Sequence, residues 1–117
     1  MSSRYHEIYA SWQRDAEGFW RAAAQGIDWY RPFDKVFDPD EGIYGRWFVG
    51  GVCNTCFNAV DRHVEGGRAD QTALVHDSAM TGEVRRYSYA ELQREVVALA
   101  QVLRHSGVAK GDRVIIY

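Results

Sequence analysis

The first apolar pattern in the chain is a set of four residues that recur at helical spacing near the N-terminus: Tyr5, Ile8, Tyr9 and Trp12. Positions i, i+3, i+4 and i+7 share one face of an α-helix, so the pattern predicts an amphipathic helix with an aromatic stripe. Aromatic residues at this spacing are more often core than ligand contacts, and we expect this stripe to be packed.

A second short helix is predicted after Asp15, a residue type that caps helix N-termini, and Gly26 is expected to close it. From residue 27 to residue 45 the apolar positions follow neither period, and residues 38–42 have the composition of a turn. We interpret this segment as an extended arm laid over a larger body, with one short strand at Lys35 to Phe37.

The central stretch begins with an apolar run at residues 47–49, which predicts a buried extended segment. The following Gly50 and Gly51 allow a positive φ or a close approach of the backbone. Asn54 is a good helix N-cap, and the helix that follows is expected to end at the glycine pair 66–67. Its polar residues could contact a ligand or tie neighbouring backbone into place; we favour the second interpretation for Asn58, Asp61 and Arg62.

Two strands are predicted at residues 72–76 and 84–87, and a hairpin is the simplest way to pair them. Ser88 and Glu91 form a capping box, the strongest local signal in the chain, at the start of a helix that Gly107 ends. Its apolar face is expected to hold Leu92, Val96, Leu99, Ala100 and Leu103. The final run, residues 114–117, predicts a buried parallel strand and hence a right-handed βαβ crossover. Such a strand needs further strands and helices, which leads us to expect a larger protein.

Composition and charge exclude several classes of function. A net charge of −2, from 14 basic and 16 acidic residues mixed along the chain, gives no electrostatic case for binding nucleic acid or an anionic membrane. No apolar run reaches the length of a membrane span and no secretory signal is visible, so we expect a cytoplasmic location.

Three isolated features have alternative interpretations. Cys53 and Cys56 have the spacing of a redox pair, and His63 could add a third zinc ligand, but a fourth is missing. Packing of two small apolar side chains in a reducing compartment is the favoured interpretation. His76 could be catalytic, but no partner is placed beside it, and a paired strand residue is favoured.

Taken together, these segments resemble the N-terminal portion of short-chain acyl-CoA synthetases within the adenylate-forming superfamily. Residues 5–9, 19–20 and 27–29 are similar to the region that precedes the nucleotide-binding domain, and residues 87–92 and 107–114 to the generic opening of that domain. The family signature, which we expect to be structural, is represented by Trp47, Phe48, Gly50, Gly51, Asn54, Asn58, Asp61 and Arg62. The form of residues 46–48 and 54–62 is closest to propionate–CoA ligases.

The resemblance implies an α/β fold, α+β within this chain. A helical and extended arm of the N-terminal region (1–65) would precede the incomplete first strand–helix–strand units of the AMP-binding domain (66–117). It also implies a parent enzyme that forms propionyl-CoA from propionate, ATP and CoA, with Mg²⁺, in the cytoplasm or an organellar matrix. No catalytic, cofactor-binding or metal residue is carried over to this chain, which is expected to bind none of these groups alone and to need the remainder of the ligase as its partner. The alternatives are the N-terminus of an acetyl-CoA synthetase and a non-catalytic interaction module.

Overall fold

A computed structural model describes residues 3–116 of the chain. They divide into two compact units, the first ending at Asn58 and the second beginning at Ala59. Both contain helices and antiparallel strand pairs, and the mixed helix–strand composition confirms the predicted α/β class. Among the residues described, no helix is both long and apolar enough to cross a membrane.

The first unit opens with two helices, α1 (Tyr5–Arg14) and α2 (Ala16–Ala23), and a 3₁₀ turn at Ala24–Gly26. The Asp15 carboxylate accepts a hydrogen bond of 2.8 Å from the Gly18 N–H, which confirms the predicted cap. The expectation that the α1 stripe belongs to a core is wrong, because Tyr5 is 61% and Ile8 49% exposed. Helical periodicity identifies an apolar face but does not supply the surface that covers it.

Four short strands complete the first unit: β1 (Trp29–Arg31), β2 (Lys35–Asp38), β3 (Arg46–Val49) and β4 (Val52–Cys53). They form two antiparallel pairs, β1 with β4 and β2 with β3. The strand predicted from Lys35 is confirmed, and its Val36 is only 1% exposed. The apolar run at residues 47–49 is extended as predicted but not buried throughout, since Trp47 is 47% exposed.

A helical segment at residues 55–68, here called the signature helix, contains two wide π-type stretches at Phe57–Asp61 and Val64–Arg68. Gly67 has a φ of +80°, and the segment ends one residue later, as the glycine pair predicts. In the second unit, β5 (Thr72–Ser78) and β6 (Glu83–Ser88) form the predicted antiparallel hairpin. His76 pairs with Arg85 in that hairpin, so it is a paired strand residue.

Helix α3 (Tyr89–His105) begins with the predicted capping box, in which the Glu91 N–H donates to the Ser88 hydroxyl and the Ser88 N–H donates to the Glu91 carboxylate. The φ of +85° at Gly107 confirms the predicted stop. Residues 113–116 form no strand, and Tyr117 lies outside the described residues. A strand exists only when another pairs with it, and no described segment does so; the predicted parallel strand and crossover are therefore not formed in this part of the chain.

Candidate functional site

The two aromatic residues of the family signature lie in an aromatic cluster of the first unit. The Trp47 ring lies 4.7 Å from that of Phe37 and 5.8 Å from that of Trp20, measured between centroids. The Phe48 ring lies 5.1 Å from Phe33 and 5.6 Å from Trp29. Tilted and edge-on ring pairs at these distances are favourable beyond the area that they bury. The cluster therefore holds the β2–β3 pair against α2 and β1 without a large aliphatic core.

The turn that follows Phe48 explains why glycine stands at position 50. The Gly51 N–H donates a hydrogen bond of 3.0 Å to the Phe48 carbonyl, and Gly50 has the predicted positive φ, +80°. A Cβ on Gly50 would overlap the Asp34 carboxylate. Both the backbone conformation and the space thus favour glycine. Phe48 itself has a φ of +51°, a sparsely populated conformation for an aromatic residue.

Gly51 is required by a different neighbour. A Cβ there would lie 2.7 Å from the Trp29 ring and 3.0 Å from the Phe48 carbonyl oxygen. The Trp29 ring is fixed by its indole N–H, which donates to the Ala24 carbonyl at 3.0 Å. The close approach anticipated from the glycine pair is therefore an indole ring packed on bare backbone.

Two polar residues, Arg31 at the end of β1 and Asp34 just before β2, hold the same turn. The Arg31 Nε donates to the Gly50 carbonyl at 2.6 Å, and the Asp34 N–H donates to the Val49 carbonyl at 2.8 Å. Neither contact is predictable from the sequence, because a contact across fifteen to nineteen residues of irregular chain leaves no periodic signal. An Arg and an Asp flanking Pro32 and Phe33 are the only sequence mark of this arrangement.

Asn54 and Asn58 act on backbone groups. The Asn54 side-chain oxygen accepts from the Phe57 N–H at 3.1 Å, which confirms the predicted N-cap. The Asn58 oxygen accepts from the Asp28 N–H at 2.8 Å, while its amide nitrogen donates to the carbonyls of Asp28 and Asn54, each at 3.0 Å. One side-chain amide thus joins the start of the signature helix to the strand region thirty residues earlier.

In the second unit, Asp61 and its neighbours join the signature helix to the start of α3. The Gln93 side-chain amide donates to the Asp61 carboxylate at 2.7 Å in a partly buried site. The His63 ring packs on the Tyr89 ring with centroids 4.7 Å apart, and the Arg68 guanidinium lies 5.5 Å from the same Tyr89 ring. Arg68 also contacts the His63 Nδ1 at 3.3 Å.

The charge environment of His63 follows from these neighbours. Desolvation of the imidazole, followed by the positive charges of Arg68 and then Arg62, lowers the pKa of His63 below its ordinary value of 6.5. Because an Arg side chain only donates, its contact with Nδ1 places the ring proton of neutral His63 on Nε2. Half-buried Arg62 thus acts on its neighbour through charge.

These signature residues form two groups, one in each unit: the aromatic pair, the glycine pair, Asn54 and Asn58 in the first, and Asp61 and Arg62 in the second. In every contact given above the signature residues touch other side chains or backbone of this chain. Nothing in that geometry aligns a nucleophile with a base or leaves convergent donors around an open space.

The Gly50–Gly51 turn is unsuited to a phosphate, and the described residues include no cluster of metal ligands. Among residues 3–116 no group of three His, Cys, Asp or Glu side chains is arranged to hold a metal ion. The Gly50–Gly51 turn carries the Asp34 carboxylate against its backbone, and that negative charge disfavours a phosphate there. Cys53 is exposed and Cys56 is half-buried. No metal or nucleotide chemistry is assigned to the described residues.

Two known protein families together match the chain from residue 5 to residue 117. Residues 5–59 match the family described as acetyl-coenzyme A synthetase N-terminus, and residues 60–117 match the family of AMP-binding enzymes. The human mitochondrial acyl-CoA synthetase short-chain family member 3 is 42% identical over 115 residues, which are 98% of this chain and 17% of that protein. An acetyl-coenzyme A synthetase of Mycolicibacterium smegmatis is 40% identical over 111 residues, or 95% of this chain and 12% of that protein.

The fold is also similar to part of a solved structure, the acetoacetyl-CoA synthetase from Streptomyces lividans. The TM-score is 0.71 with 31% sequence identity, over 89% of this chain and 16% of that one. The chain therefore spans less than a fifth of the length of each of these relatives.

Proposed function

We propose that this chain serves as the N-terminal region of an acid–thiol ligase, a short-chain acyl-CoA synthetase of the adenylate-forming superfamily. The consecutive family matches over residues 5–117 carry this proposal. In the proposed reaction, a carboxylate oxygen attacks the α-phosphorus of ATP and releases pyrophosphate. The thiol of CoA then attacks the acyl carbonyl and releases AMP.

The proposed role of these residues in that ligase is structural. Both steps develop negative charge on oxygen, which enzymes stabilise with metal ions and oriented donors. This role is supported by contacts within the chain: the Asn58 amide bonds to the backbone of Asp28, and the Trp47 and Phe48 rings pack in the aromatic cluster. ATP, CoA and Mg²⁺ are assigned to the remainder of the ligase, and the division at 65/66 between arm and AMP-binding domain stays a prediction.

Propionate is the acid that we propose for the parent ligase, on the form of residues 46–48 and 54–62. Acetate is the second candidate, since relatives of similar identity are named acetyl-coenzyme A synthetases. The two acids differ by one methylene, which an apolar pocket discriminates by about 1–3 kcal/mol, or roughly 10–200-fold in kcat/KM. The proposed partners are this small carboxylate and the rest of the ligase, without nucleic acid or membrane. The proposed compartment is the cytoplasm or, as the name of the human relative suggests, an organellar matrix.

Acid-dependent exchange of pyrophosphate into ATP tests the proposal, because it reports adenylate formation alone. The intact ligase that contains these residues should catalyse exchange with propionate at a higher kcat/KM than with acetate or butyrate. The 117-residue chain alone should remain at background with all three. A higher kcat/KM for acetate would establish the second candidate. Exchange by the isolated chain would refute the structural role, and absence of exchange with any short acid would refute the ligase itself.

A further inference from the structure

A hollow beside the C-terminal end of α2 combines apolar walls with a cationic side chain. Its volume is about 370 Å³, and small-molecule sites occupy roughly 300–1,000 Å³. We call it the Trp29 hollow; its lining includes Arg21, Gln25, Ile27, Trp29, Pro32 and Phe33. These residues all lie in the first unit and stand outside the family signature.

The aromatic wall of the hollow is held in place by the rest of the first unit. The Trp29 indole N–H donates to the carbonyl of buried Ala24 at 3.0 Å. The same ring packs against bare backbone at Gly51 and meets the Phe33 ring edge-on, with centroids 5.3 Å apart and planes at 69°. Trp29 and Phe33 are half-buried, so each ring keeps part of its surface open. The wall exists before a ligand binds, which lowers the cost of ordering the site.

The polar part of the lining has donors that are not used within the chain. Arg21 and Gln25 are four residues apart in continuous helical chain, which places both on one face. Both are exposed, and among residues 3–116 neither side chain forms a hydrogen bond or an ion pair. A guanidinium offers five donors and no acceptor, and its planar fork matches the two oxygens of a carboxylate. Arg21 can therefore pair with an anionic group that enters the hollow.

The geometry points to a small aromatic carboxylate as the ligand of the Trp29 hollow. Its ring packs on Trp29 and Phe33, and its carboxylate pairs with Arg21. A third ring extends the edge-on pair already present, and such ring contacts are favourable beyond the area that they bury. In the described part of the chain, Arg21 is the one charged residue of this lining, so the hollow repels a cation and leaves most of the charge of a polyphosphate unpaired.

This binding site goes beyond the proposed ligase reaction. The short acids proposed as substrates of that reaction lack the ring that the aromatic wall binds. The site also needs no other part of a longer protein, because all of its lining lies between residues 21 and 33.

Photolabelling of the intact protein that contains these residues tests the site. The probe is 4-azidobenzoate, which loses N₂ on illumination and then inserts into nearby bonds, and mass spectrometry of proteolytic peptides locates the label. Labelling should concentrate in residues 21–33 and be suppressed by excess benzoate. The uncharged analogue 4-azidobenzyl alcohol should label the same segment less by about tenfold or more, because it cannot form the charge-assisted pair with Arg21.

Three variants separate the role of Arg21 from that of positive charge in general. Arg21→Gln should reduce labelling of residues 21–33 by about tenfold or more. Arg21→Lys should restore part of it, because lysine keeps the charge but not the planar fork. Arg14→Gln removes an exposed cation of α1 that is outside the lining, so it is the matched control and should leave labelling unchanged.

Labelling of residues 21–33 that benzoate does not suppress, or that the alcohol analogue equals, would overturn the proposal and indicate non-specific attachment. Unchanged labelling in Arg21→Gln, equal loss in Arg14→Gln, or label confined to other segments would overturn it as well. The label is read without ATP or CoA. Failure of this site is therefore distinguishable from failure of the ligase proposal, which pyrophosphate exchange tests separately.

Discussion

Asn58 shows how a single side chain replaces a stretch of strand pairing. Its amide group both accepts from and donates to the backbone of Asp28, as a neighbouring strand would. The net contribution of one hydrogen bond to stability is about 0.5–1.5 kcal/mol. Loss of all the Asn58 side-chain hydrogen bonds, at a partly exposed position, should therefore cost about 1–3 kcal/mol. We predict that Asn58→Leu, which conserves volume, accelerates hydrogen exchange at the Asp28 amide by roughly 5- to 150-fold.

Two comparisons make the Asn58 prediction specific. Asn58→Asp keeps the acceptor for the Asp28 N–H and loses the two donated bonds, so its effect should be intermediate. Gln25→Leu, at an exposed position of the same unit, should leave exchange at Asp28 unchanged. Normal exchange at the Asp28 N–H in the Asn58→Leu protein would show that the Asn58 side chain does not order the backbone at Asp28.

The lowered pKa of His63 makes the stability of the second unit depend on pH. Its lowered pKa means that, as pH falls below 6.5, the unfolded state takes up a proton that the folded state resists. The stability that neutral His63 provides is therefore present above pH 6.5 and is lost as pH falls through its folded-state pKa. We expect NMR titration of the ring to give a midpoint below 6.5 and Arg68→Gln to raise it partway.

His63→Gln should flatten the loss of unfolding free energy between about pH 7.5 and about pH 5.5. A His63 midpoint at or above 6.5 would contradict the arrangement in which the Arg68 guanidinium faces Nδ1.

In the turn between β3 and β4, Gly50 is favoured both by its positive φ and by the lack of space for a side chain. Comparison with Gly42, which has the same φ but open space around it, separates the two contributions. Gly42 has the same φ of +80° but nothing within 4 Å of the position that a Cβ would take, so Gly42→Ala should cost only the left-handed conformation, about 1–2 kcal/mol. Gly50→Ala should cost more, because its Cβ also meets the Asp34 carboxylate. In an Asp34→Ala background the cost of Gly50→Ala should fall to that of Gly42→Ala, measured as free energies of unfolding in a double-mutant cycle. Equal costs for the two glycines would remove Asp34 from the explanation.

The start of α3 depends on its capping box. Ser88→Ala removes the acceptor for the Glu91 N–H and should lower the free energy of unfolding by about 1 kcal/mol. Hydrogen bonding to Ser88, first through the Ser88 backbone N–H and then through its side chain, also lowers the pKa of Glu91 below 4.5. The stability from ionised Glu91 is thus present above pH 4.5 and lost as pH falls below it. Thr81→Ala, which removes an exposed hydroxyl from the hairpin turn, is the matched control and should be neutral.

The sequence allowed prediction of the elements whose signals are local. Each cap at Asp15, Asn54 and Ser88 places donor and acceptor within three residues, and the structure has all three. The hydrogen bonds from Asn58 to Asp28 and from Gln93 to Asp61 span 30 and 32 residues, and no periodic pattern in the sequence predicts them. The β1–β4 pair was missed for a related reason, since strands of three and two residues are too short to show alternation.

The molecule as a whole exposes more surface than a free-standing protein of its size. Its accessible area is 9929 Å², whereas a folded monomer of 13.4 kDa exposes about 6,500 Å² and two separate bodies of half that mass about 7,800 Å². Among the described residues, the buried hydrophobic side chains are only Ala24, Val36 and Val60. Periodicity in the sequence located the apolar faces, but several of them, including those on α1 and α3, are exposed in the described part of the chain.

The exposed apolar face of α3 leads to the last prediction, that the isolated chain self-associates. Leu99 and Val102 are each 60% exposed on this helix, and a net charge of −2 offers little repulsion between copies. Sedimentation velocity should show a weight-average mass that rises with concentration, and Leu99→Lys with Val102→Lys should shift the distribution towards monomer. Gln101→Lys adds a charge on the same helix without removing apolar surface, so it should reduce association less. A monomer at all concentrations, with no change in the double variant, would mean that this face is stable in water without a partner.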